Sequence, residues 1–450
     1  MKFAPITSGT TTQTVTLAEL IGAFSYALDI TEGQPAGHCL RACWIGSHIG
    51  RALGLSPQDR DDLYYTLLLK DLGCSSNAAR ICELYQADDI AFKQGYKTVG
   101  TGLAATIHFI ASRTARAAPL RRRAGAIGHI LKNGDSIAQE LIVARCTRGA
   151  DIAHSLHFST AVSDGIYHLD EHWDGSGRPD HLTGDAIPLA ARIALLAQVA
   201  DVFHTHAGRN AAIDEIRRRS GSWLDPALVA AFDAVAANEQ FWTGLESPFL
   251  ETRLLALAPA EHAREVDEDY LDDIAAAFGS VIDAKSHFTA GHSARVADLA
   301  GRIGAAMGVP PSRRRWLHRA ALLHDIGKLG VANSILDKPG PLDDREWVTM
   351  RDHAVHTQAI LGRVGVLADM APIAAAHHER IDGTGYPLGL KDHQIRRETR
   401  IITVCDYYDA LSSDRPYRAS LSRADTMAII AADVGTAIDG DCYEALCALV

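Results

Sequence analysis

The chain has 450 residues, of which 47% are hydrophobic and 22% are charged, and its 44 basic and 55 acidic residues give a formal net charge of -11. This composition is typical of two or three globular domains and excludes a chain that is mostly disordered. The negative charge and the lack of a long apolar run argue against binding to a DNA or RNA duplex or to a membrane, so we expect a soluble cytoplasmic protein.

Helical periodicity runs along the whole chain. Apolar residues recur at intervals of three and four in LAELIGAF (17–24) and again in YLDDIAAAFGSVI (270–282), and no run of alternating strand residues is found. The sequence therefore predicts an all-α fold. Residues 1–15 precede the first helical pattern and are expected to be an N-terminal tail.

One sequence pattern occurs twice. A shift of 254 places brings His38 onto His292 and Asp71 onto Asp325, and further along the chain a shift of 208 aligns DEHWDGSGRP with HERIDGTGYP. The smaller shift implies extra residues in the first copy, at about 85–130, which we predict to form a helical hairpin. Units of this length indicate a duplicated domain rather than a repeat array.

The repeat sets the expected domain boundaries. We predict a first copy at residues 16–245, a linker at 246–269 that contains two prolines and an acidic run, and a second copy at 270–450.

Histidines and carboxylates are concentrated in three motifs of the second copy. RAALLHDIGK places His324 and Asp325 at the end of an apolar helix, with Lys328 about one turn later. IAAAHHERIDGTGYP places His377 and His378 directly before a glycine-rich loop. An isolated His-Asp pair could simply end a helix, but two adjacent histidines before such a loop are difficult to explain by packing.

The third motif, RIITVCDYYDALSSDRPYR, supplies two carboxylates on one helical face. Asp406 and Asp409 follow an apolar segment, where an unpaired carboxylate is unfavourable unless a metal or another cation meets it. Asp406 is the expected ligand, whereas Asp409 could equally cap a helix or form a salt bridge.

Together, HDIGK, HHERIDGTGYP and DYYDALSSDRPYR resemble the HD-GYP family of cyclic dinucleotide phosphodiesterases, over about residues 270–425. The resemblance implies an all-helical HD core that holds two or three divalent metal ions, usually iron or manganese. Imidazole and carboxylate ligands without a thiolate would also suit zinc or nickel. Relatives with a third ion carry a glutamate four residues before the first ligand, where this chain has Phe288, and this difference favours two ions. The family pattern is also broken at Ala354 and Thr357.

The resemblance also implies roles for single residues. The implied metal ligands are His292, His324, Asp325, His353, His377, His378 and Asp406. The implied catalytic residues are Asp325, which would bridge the ions, and Lys328. The implied substrate-binding residues are Arg415, Arg418, Tyr386 and Pro387.

The first copy has lost most of these groups. The residues that replace ligands or the catalytic lysine are Lys70, Cys74, Arg145, Leu169, Asp170 and Gln198, and only His38 and Asp71 remain. We therefore predict a degenerate copy without catalysis, in which Lys70 and Arg145 could pair with Asp71 and Asp170. Its role is structural, or else regulatory through an anion bound by Lys70 and Arg145.

The sequence thus predicts an enzyme that hydrolyses cyclic di-GMP or 3'3'-cyclic GMP-AMP to a linear dinucleotide, with mononucleotides as an open further product. One alternative is a general HD-superfamily phosphohydrolase acting on nucleotides, and another is a cyclic dinucleotide receptor without catalysis. A homodimer and binding to other signalling proteins both remain open.

Overall fold

The computed structural model describes residues 16–100, 102–258, 266–416 and 418–450. Within these ranges the chain forms α-helices and short 3-10 helices but no β-strand, which confirms the all-α prediction. The predicted tail at 1–15 and part of the predicted linker, 259–265, lie outside the described residues. None of the described helices has the length and apolar character that crossing a membrane would require.

The first helix of the first copy begins at a capping box. The Thr16 side chain accepts a hydrogen bond from the backbone N of Glu19, and the Glu19 side chain accepts one from the backbone N of Thr16. The helices before residue 259 are α1 (Leu17–Thr31), α2 (His38–Ala52), α3 (Pro57–Leu69), α4 (Ala78–Tyr85), α5 (Asp89–Tyr96), α6 (Leu103–Arg113), α7 (Leu120–Ser155), α8 (Thr160–Tyr167), α9 (Leu189–Ala207), α10 (Arg209–Arg218), α11 (Pro226–Ala236), α12 (Glu239–Leu245) and α13 (Leu250–Leu255).

The second copy repeats this arrangement without the insertion. Its helices are α14 (Glu268–Asp283), α15 (His292–Ala306), α16 (Pro311–Leu322), α17 (Asn333–Leu336), α18 (Asp344–Leu361), α19 (Ala371–Ala375), α20 (Arg397–Ser412), α21 (Arg423–Ala432) and α22 (Gly440–Cys447). Short 3-10 helices lie at Gly184–Ala186, Ile326–Gly330, Gly365–Leu367 and Asp392–Gln394.

The two copies pack against each other through equivalent surfaces. Phe24 of α1 and Phe278 of α14 are related by the 254-residue shift, and their rings stack with centroids 4.0 Å apart and 18° between their planes. Helix α1 packs against α18 of the second copy, and α14 packs in return against α7 of the first. Buried hydrophobic side chains of both copies form one continuous core. The chain is therefore arranged like a two-fold dimer within one polypeptide.

The insertion in the first copy reaches across to the second. Helices α5 and α6 and the start of α7, which bends at Asn133, pack around a small separate core, so the insertion is helical as predicted but has more elements than a hairpin. Asp89 of α5 is fully buried, and its carboxylate lies 3.5 Å from Nζ of the buried Lys285. The same carboxylate accepts a 2.7 Å hydrogen bond from the backbone N of Asn333. Both partners belong to the second copy.

Replacement of Asp89 by alanine is expected to lower the free energy of unfolding by about 3–5 kcal/mol, because the ammonium of Lys285 would remain buried without a counter-charge. Urea denaturation of the full chain measures this loss. The matched control is Asp88→Ala, which removes an exposed carboxylate that caps α5 by accepting from the backbone N of Ala91 at 2.9 Å. Its expected cost is about 1 kcal/mol. Equal losses in the two variants would contradict a stabilising role for the buried pair.

Candidate metal centre

The predicted ligands come from five separate segments of the second copy. His292 is the first residue of α15, His353 lies in α18 and Asp406 in α20. The pair His324 and Asp325 lies between α16 and the 3-10 helix Ile326–Gly330, and the pair His377 and His378 follows α19. The structure brings these segments to one point, although the side chains are up to 114 positions apart in the sequence.

Asp325 lies at the middle of this centre and is 1% exposed. Its Oδ2 atom is 3.5 Å from Nε2 of His292 and 3.3 Å from Nε2 of His324. Its Oδ1 atom is 3.7 Å from Nε2 of His353 and 3.5 Å from Nε2 of His377. The two oxygens of one carboxylate therefore face two different groups of imidazoles.

The atoms that could bind a metal ion fall into two groups, and within each group these atoms lie within 4.8 Å of one another. One group consists of Asp325, His353, His377 and His378, and the other of His292, His324 and Asp406. Asp406 Oδ1 joins the second group at 3.3 Å from Nε2 of His292. With Asp325 between them, the groups have the form of two adjoining cation sites.

Backbone carbonyls fix the orientation of the histidine rings. Nδ1 of His324 lies 2.7 Å from the carbonyl oxygen of Ala321, and Nδ1 of His353 and of His377 lie 2.6 Å from the carbonyl oxygens three residues earlier. A carbonyl oxygen only accepts, so each Nδ1 is the donor and each Nε2 keeps its lone pair. This is the ring orientation that metal-binding histidines need.

The site fits divalent metal ions because its inward atoms lack other partners. Nε2 of His292, His324, His353 and His377 and Oδ1 of Asp325 are buried and accept or donate no hydrogen bond. Buried polar atoms are normally paired, and five unpaired ones around a single point require an explanation. Imidazole and carboxylate ligands suit first-row divalent ions.

Burial and nearby carboxylates shift the pKa values of the imidazoles of the site in opposite directions. Burial lowers the pKa of His292, but three nearby carboxylates outweigh it and hold that pKa well above its usual value. Burial lowers the pKa of His353 to about 3 against the attraction of Asp325, and burial also holds the pKa of His378 well below its usual value. Both rings are therefore neutral, which is the form that a metal ion binds. Burial raises the pKa of Asp325, but the nearby His324 and Lys328 outweigh it and hold that pKa well below its usual range. Asp325 is therefore ionised at neutral pH.

Asp409, whose role the sequence left ambiguous, contacts one of the predicted ligands. Its Oδ2 lies 2.7 Å from Nδ1 of His292, and its Oδ1 accepts a 2.6 Å hydrogen bond from Nε of Arg295. Asp409 therefore orients the ring of His292 and forms the salt bridge that the sequence had left as one alternative. The sequence feature that could have indicated this role is the position of Asp409 on α20, three residues after Asp406.

Sequence reasoning missed the roles of Glu379 and Thr357. The Glu379 carboxylate, 2% exposed, accepts hydrogen bonds from the backbone N of Leu388 at 2.6 Å and of Leu390 at 2.8 Å, which fixes the loop that follows Tyr386. The Thr357 hydroxyl donates to the carbonyl of His324 and accepts from the backbone N of Gly327, both at 3.0 Å. The departure from the family pattern at Thr357 thus joins α18 to the HDIGK segment.

The predicted catalytic and substrate residues lie at different distances from the centre. Lys328 Nζ donates to Asp325 Oδ2. The Tyr386 ring lies 4.8 Å from the His378 ring, and Pro387 after it is exposed.

The two arginines of the RPYR segment lie at the end of α20. Arg418 donates to the carbonyls of Ala410, Leu411 and Ala419, so its guanidinium caps that helix in the structure. Nε of Arg415 donates weakly, at 3.5 Å, to the Ala410 carbonyl. The phosphate-binding role of both arginines stays a prediction.

The first copy has the same orienting groups but a lysine at its centre. His38 Nδ1 lies 2.6 Å from Asp201, which also pairs with Arg41, as in the second copy. The fully buried Nζ of Lys70 lies 3.0 Å from His38 Nε2 and is paired with Asp71. An internal ammonium therefore stands where the second copy brings imidazoles together.

The other predicted cation of the first copy, Arg145, is paired with Asp170. Both pairings follow the sequence prediction. A further cluster of possible ligands, Glu32, Asp71 and Cys74, is likewise neutralised, because Lys97 lies 2.8 Å from Glu32 and Lys70 contacts Asp71.

Comparisons with known proteins agree with this geometry. The family described as the HD domain matches residues 111–228 and 278–442. The chain is 51% identical to the 3'3'-cGAMP-specific phosphodiesterase 3 of Vibrio cholerae over 96% of its length and 94% of that protein. It is 36% identical to a cyclic di-GMP phosphodiesterase of Pseudomonas aeruginosa over 40% of its length and 45% of that protein.

A solved structure is similar over almost the whole chain. The crystal structure of a cyclic GMP-AMP specific phosphodiesterase of V. cholerae superimposes with a TM-score of 0.66 at 45% sequence identity, covering 97% of each chain.

Proposed function

The chain belongs to the HD domain family, and we propose that its second copy is a metal-dependent phosphodiesterase that hydrolyses a cyclic dinucleotide to a linear dinucleotide. The observation that carries this proposal is the set of four unpartnered Nε2 atoms around the Asp325 carboxylate. The relative that spans nearly the whole chain is specific for 3'3'-cGAMP, so this substrate is the first expectation and cyclic di-GMP the second.

Two divalent ions are the proposed cofactors, iron or manganese first and zinc or nickel second, because nitrogen and oxygen donors without a thiolate suit all four. Asp325 would contact both ions. One ion would be held by His292, His324 and Asp406, and the other by His353, His377 and His378. When bound, such ions supply an acidified water and neutralise negative charge on a phosphodiester.

Residues of the chain itself perform the remaining tasks. Lys328, whose side chain is 14% exposed, is the proposed donor to a phosphate oxygen or to the leaving 3' oxygen, since its Nζ already lies beside Asp325. The buried imidazoles hold their lone pairs toward one point through the carbonyl contacts of Nδ1. Tyr386 and Pro387 are proposed to border the substrate, and Arg415 and Arg418 to approach its phosphates once released from the end of α20.

The first copy is proposed to be a structural partner without catalysis. Lys70 and Arg145, the two cations that could have bound an anion, are each neutralised by a carboxylate of the same copy. The surface that it presents to α14 and α18 contributes to the continuous core. The proposed boundaries remain 16–245 and 270–450.

Metal removal tests the proposal directly. Protein loaded with manganese or iron is expected to hydrolyse 3'3'-cGAMP, and treatment with a chelator is expected to abolish turnover while the helical circular dichroism is retained. Readdition of the ion should restore turnover. Undiminished turnover after chelation would overturn the metal assignment. Hydrolysis of GTP or p-nitrophenyl phosphate, but not of the dinucleotides, would indicate a general phosphohydrolase. Tight binding of a cyclic dinucleotide without hydrolysis would indicate a receptor.

A further inference from the structure

Two residues of α18, Trp347 and Arg351, lie beside the loop that contains Tyr386. The guanidinium carbon of Arg351 is 5.3 Å from the centre of the Tyr386 ring and 5.7 Å from the centre of the Trp347 ring. Positions 347 and 351 are one helical turn apart, so both side chains are on the same side of α18. Nothing in the metal centre requires either of them.

Arg351 has no carboxylate partner in the described part of the chain. Of six other described arginines that lie over an aromatic ring, four are also ion-paired with an aspartate or glutamate: Arg192, Arg209, Arg219 and Arg313. Arg113 and Arg363 share with Arg351 the lack of an ion pair among the described residues, but neither lies over a residue of the candidate centre. The planar N–H donors of Arg351 are therefore available to a ligand while its face rests on aromatic rings.

The surface around Arg351 is unusually apolar for an exposed region. Trp347 is 45% exposed, Val348 62%, Val355 54% and Leu388 74%. Leu388 follows directly after the Tyr386-Pro387 pair, so an exposed apolar surface adjoins the candidate centre. Exposed apolar patches mark sites of interaction, and one at the edge of the candidate centre suits the flat apolar face of a base.

Tyr386 connects this surface to the metal centre. Its ring centre is 4.8 Å from that of His378 and 6.2 Å from that of His353, both proposed ligands. A dinucleotide whose phosphodiester lies at the centre must extend its bases over the neighbouring surface. A chain of contacts runs from His378 through Tyr386 to Arg351, and from Arg351 to Trp347.

We propose that Trp347 and Arg351 form a subsite for a guanine base of the substrate. Trp347 would provide the stacking face, and Arg351 would donate hydrogen bonds to the guanine O6 and N7 atoms. Adenine presents an amino group in place of O6, and an arginine cannot accept from that group, so the subsite discriminates between the purines. This inference rests on the proposed function, because it assigns a base of the same substrate.

Substitution of Arg351 tests the subsite with substrates that differ only in their bases. In metal-loaded Arg351→Gln, the KM for 3'3'-cGAMP and for cyclic di-GMP is expected to rise roughly 10- to 100-fold, which is the range for loss of a bidentate contact to guanine. Bis(p-nitrophenyl) phosphate, a phosphodiester without a purine, should be hydrolysed as by the unchanged protein, and the metal content should be the same. Arg351→Lys should not restore the KM, because an ammonium lacks the planar fork.

The matched control is Arg345→Gln, which removes another exposed charge, from the first turn of the same helix. It should leave all three KM values unchanged. An equal loss with bis(p-nitrophenyl) phosphate in Arg351→Gln would identify a phosphate contact and overturn the base assignment, as would an equal loss in Arg345→Gln.

Nucleotide binding separates this inference from the proposed activity. GMP is expected to quench the fluorescence of the metal-loaded protein more strongly than AMP does, and Trp347→Phe should remove most of that quenching. Because the two nucleotides have the same phosphate, the difference reports the base, and Arg351→Gln should abolish it. Hydrolysis of 3'3'-cGAMP with no GMP preference would overturn the subsite alone. A GMP preference without hydrolysis of any cyclic dinucleotide would overturn the proposed function and leave the subsite supported.

Discussion

Asp325→Asn is expected to lower kcat/KM for a cyclic dinucleotide by about 1000-fold or more, equivalent to roughly 4 kcal/mol of transition-state stabilisation. Asparagine has nearly the same shape, so the fold should persist, but it lacks the charge that faces four imidazoles and Lys328. Bound metal should fall in parallel, since neither group of ligands would keep its shared carboxylate. Steady-state kinetics and elemental analysis on the same sample measure both effects.

The equivalent substitution in the first copy, Asp71→Asn, is the matched control. It leaves the buried Lys70 without its counter-charge, so the protein should become less stable. The folded fraction should nevertheless keep its full metal content and turnover. Retention of metal and turnover by Asp325→Asn, or loss of metal in Asp71→Asn, would show that the centre has been assigned to the wrong groups.

Gly327→Ala is expected to cost roughly 3 kcal/mol of stability and to weaken metal binding. A Cβ atom at this position would lie 1.9 Å from the carbonyl oxygen of His353 and 2.7 Å from the backbone N of Thr357. The atoms in the way belong to the backbone of α18, so a flexible side chain cannot relieve the clash by rotating. The whole helix would have to shift, which would move His353 away from Asp325. Chemical denaturation gives the stability, and titration of the metal-free protein gives the affinity.

Alanine substitutions at two other glycines serve as controls that separate the loss of stability from the loss of metal affinity. Gly73, at the equivalent position of the first copy, would place a Cβ 1.9 Å from the carbonyl oxygen of Arg145, so Gly73→Ala should destabilise the chain without changing metal affinity. Gly301 in α15 has open space around it, and Gly301→Ala should be neutral or stabilising by up to about 1 kcal/mol. Unchanged stability and affinity in Gly327→Ala would contradict the close approach of α18.

The helical class, the duplication and the grouping of candidate ligands followed from the sequence because each depends on local pattern or on residue type. Helical periodicity over 17–24 became α1, and the alignment of His38 with His292 was matched by equivalent hydrogen bonds to Asp201 and Asp409. Lys70 stands where the second copy has His324, next to an aspartate, and this was sufficient to indicate an internal ion pair with Asp71.

Features that depend on long-range contacts did not follow. No pattern in the sequence around Asp89 indicates that its carboxylate contacts Lys285 of the other copy. Likewise, no pattern around Gly327 indicates its close approach to the backbone of α18. Arg418 had the residue type of a phosphate ligand, but whether its donors meet a substrate or the end of α20 depends on where that helix ends.

The stacking of Phe24 on Phe278 has a consequence for how activity depends on protein amount. Two domains joined by a linker meet at an effective concentration on the order of millimolar. The association of the two copies therefore does not depend on the concentration of the protein. Specific turnover should consequently stay constant on dilution, as in a unimolecular assembly. Under the proposed assignment, each pair of folds has one active centre, which lies in the second copy.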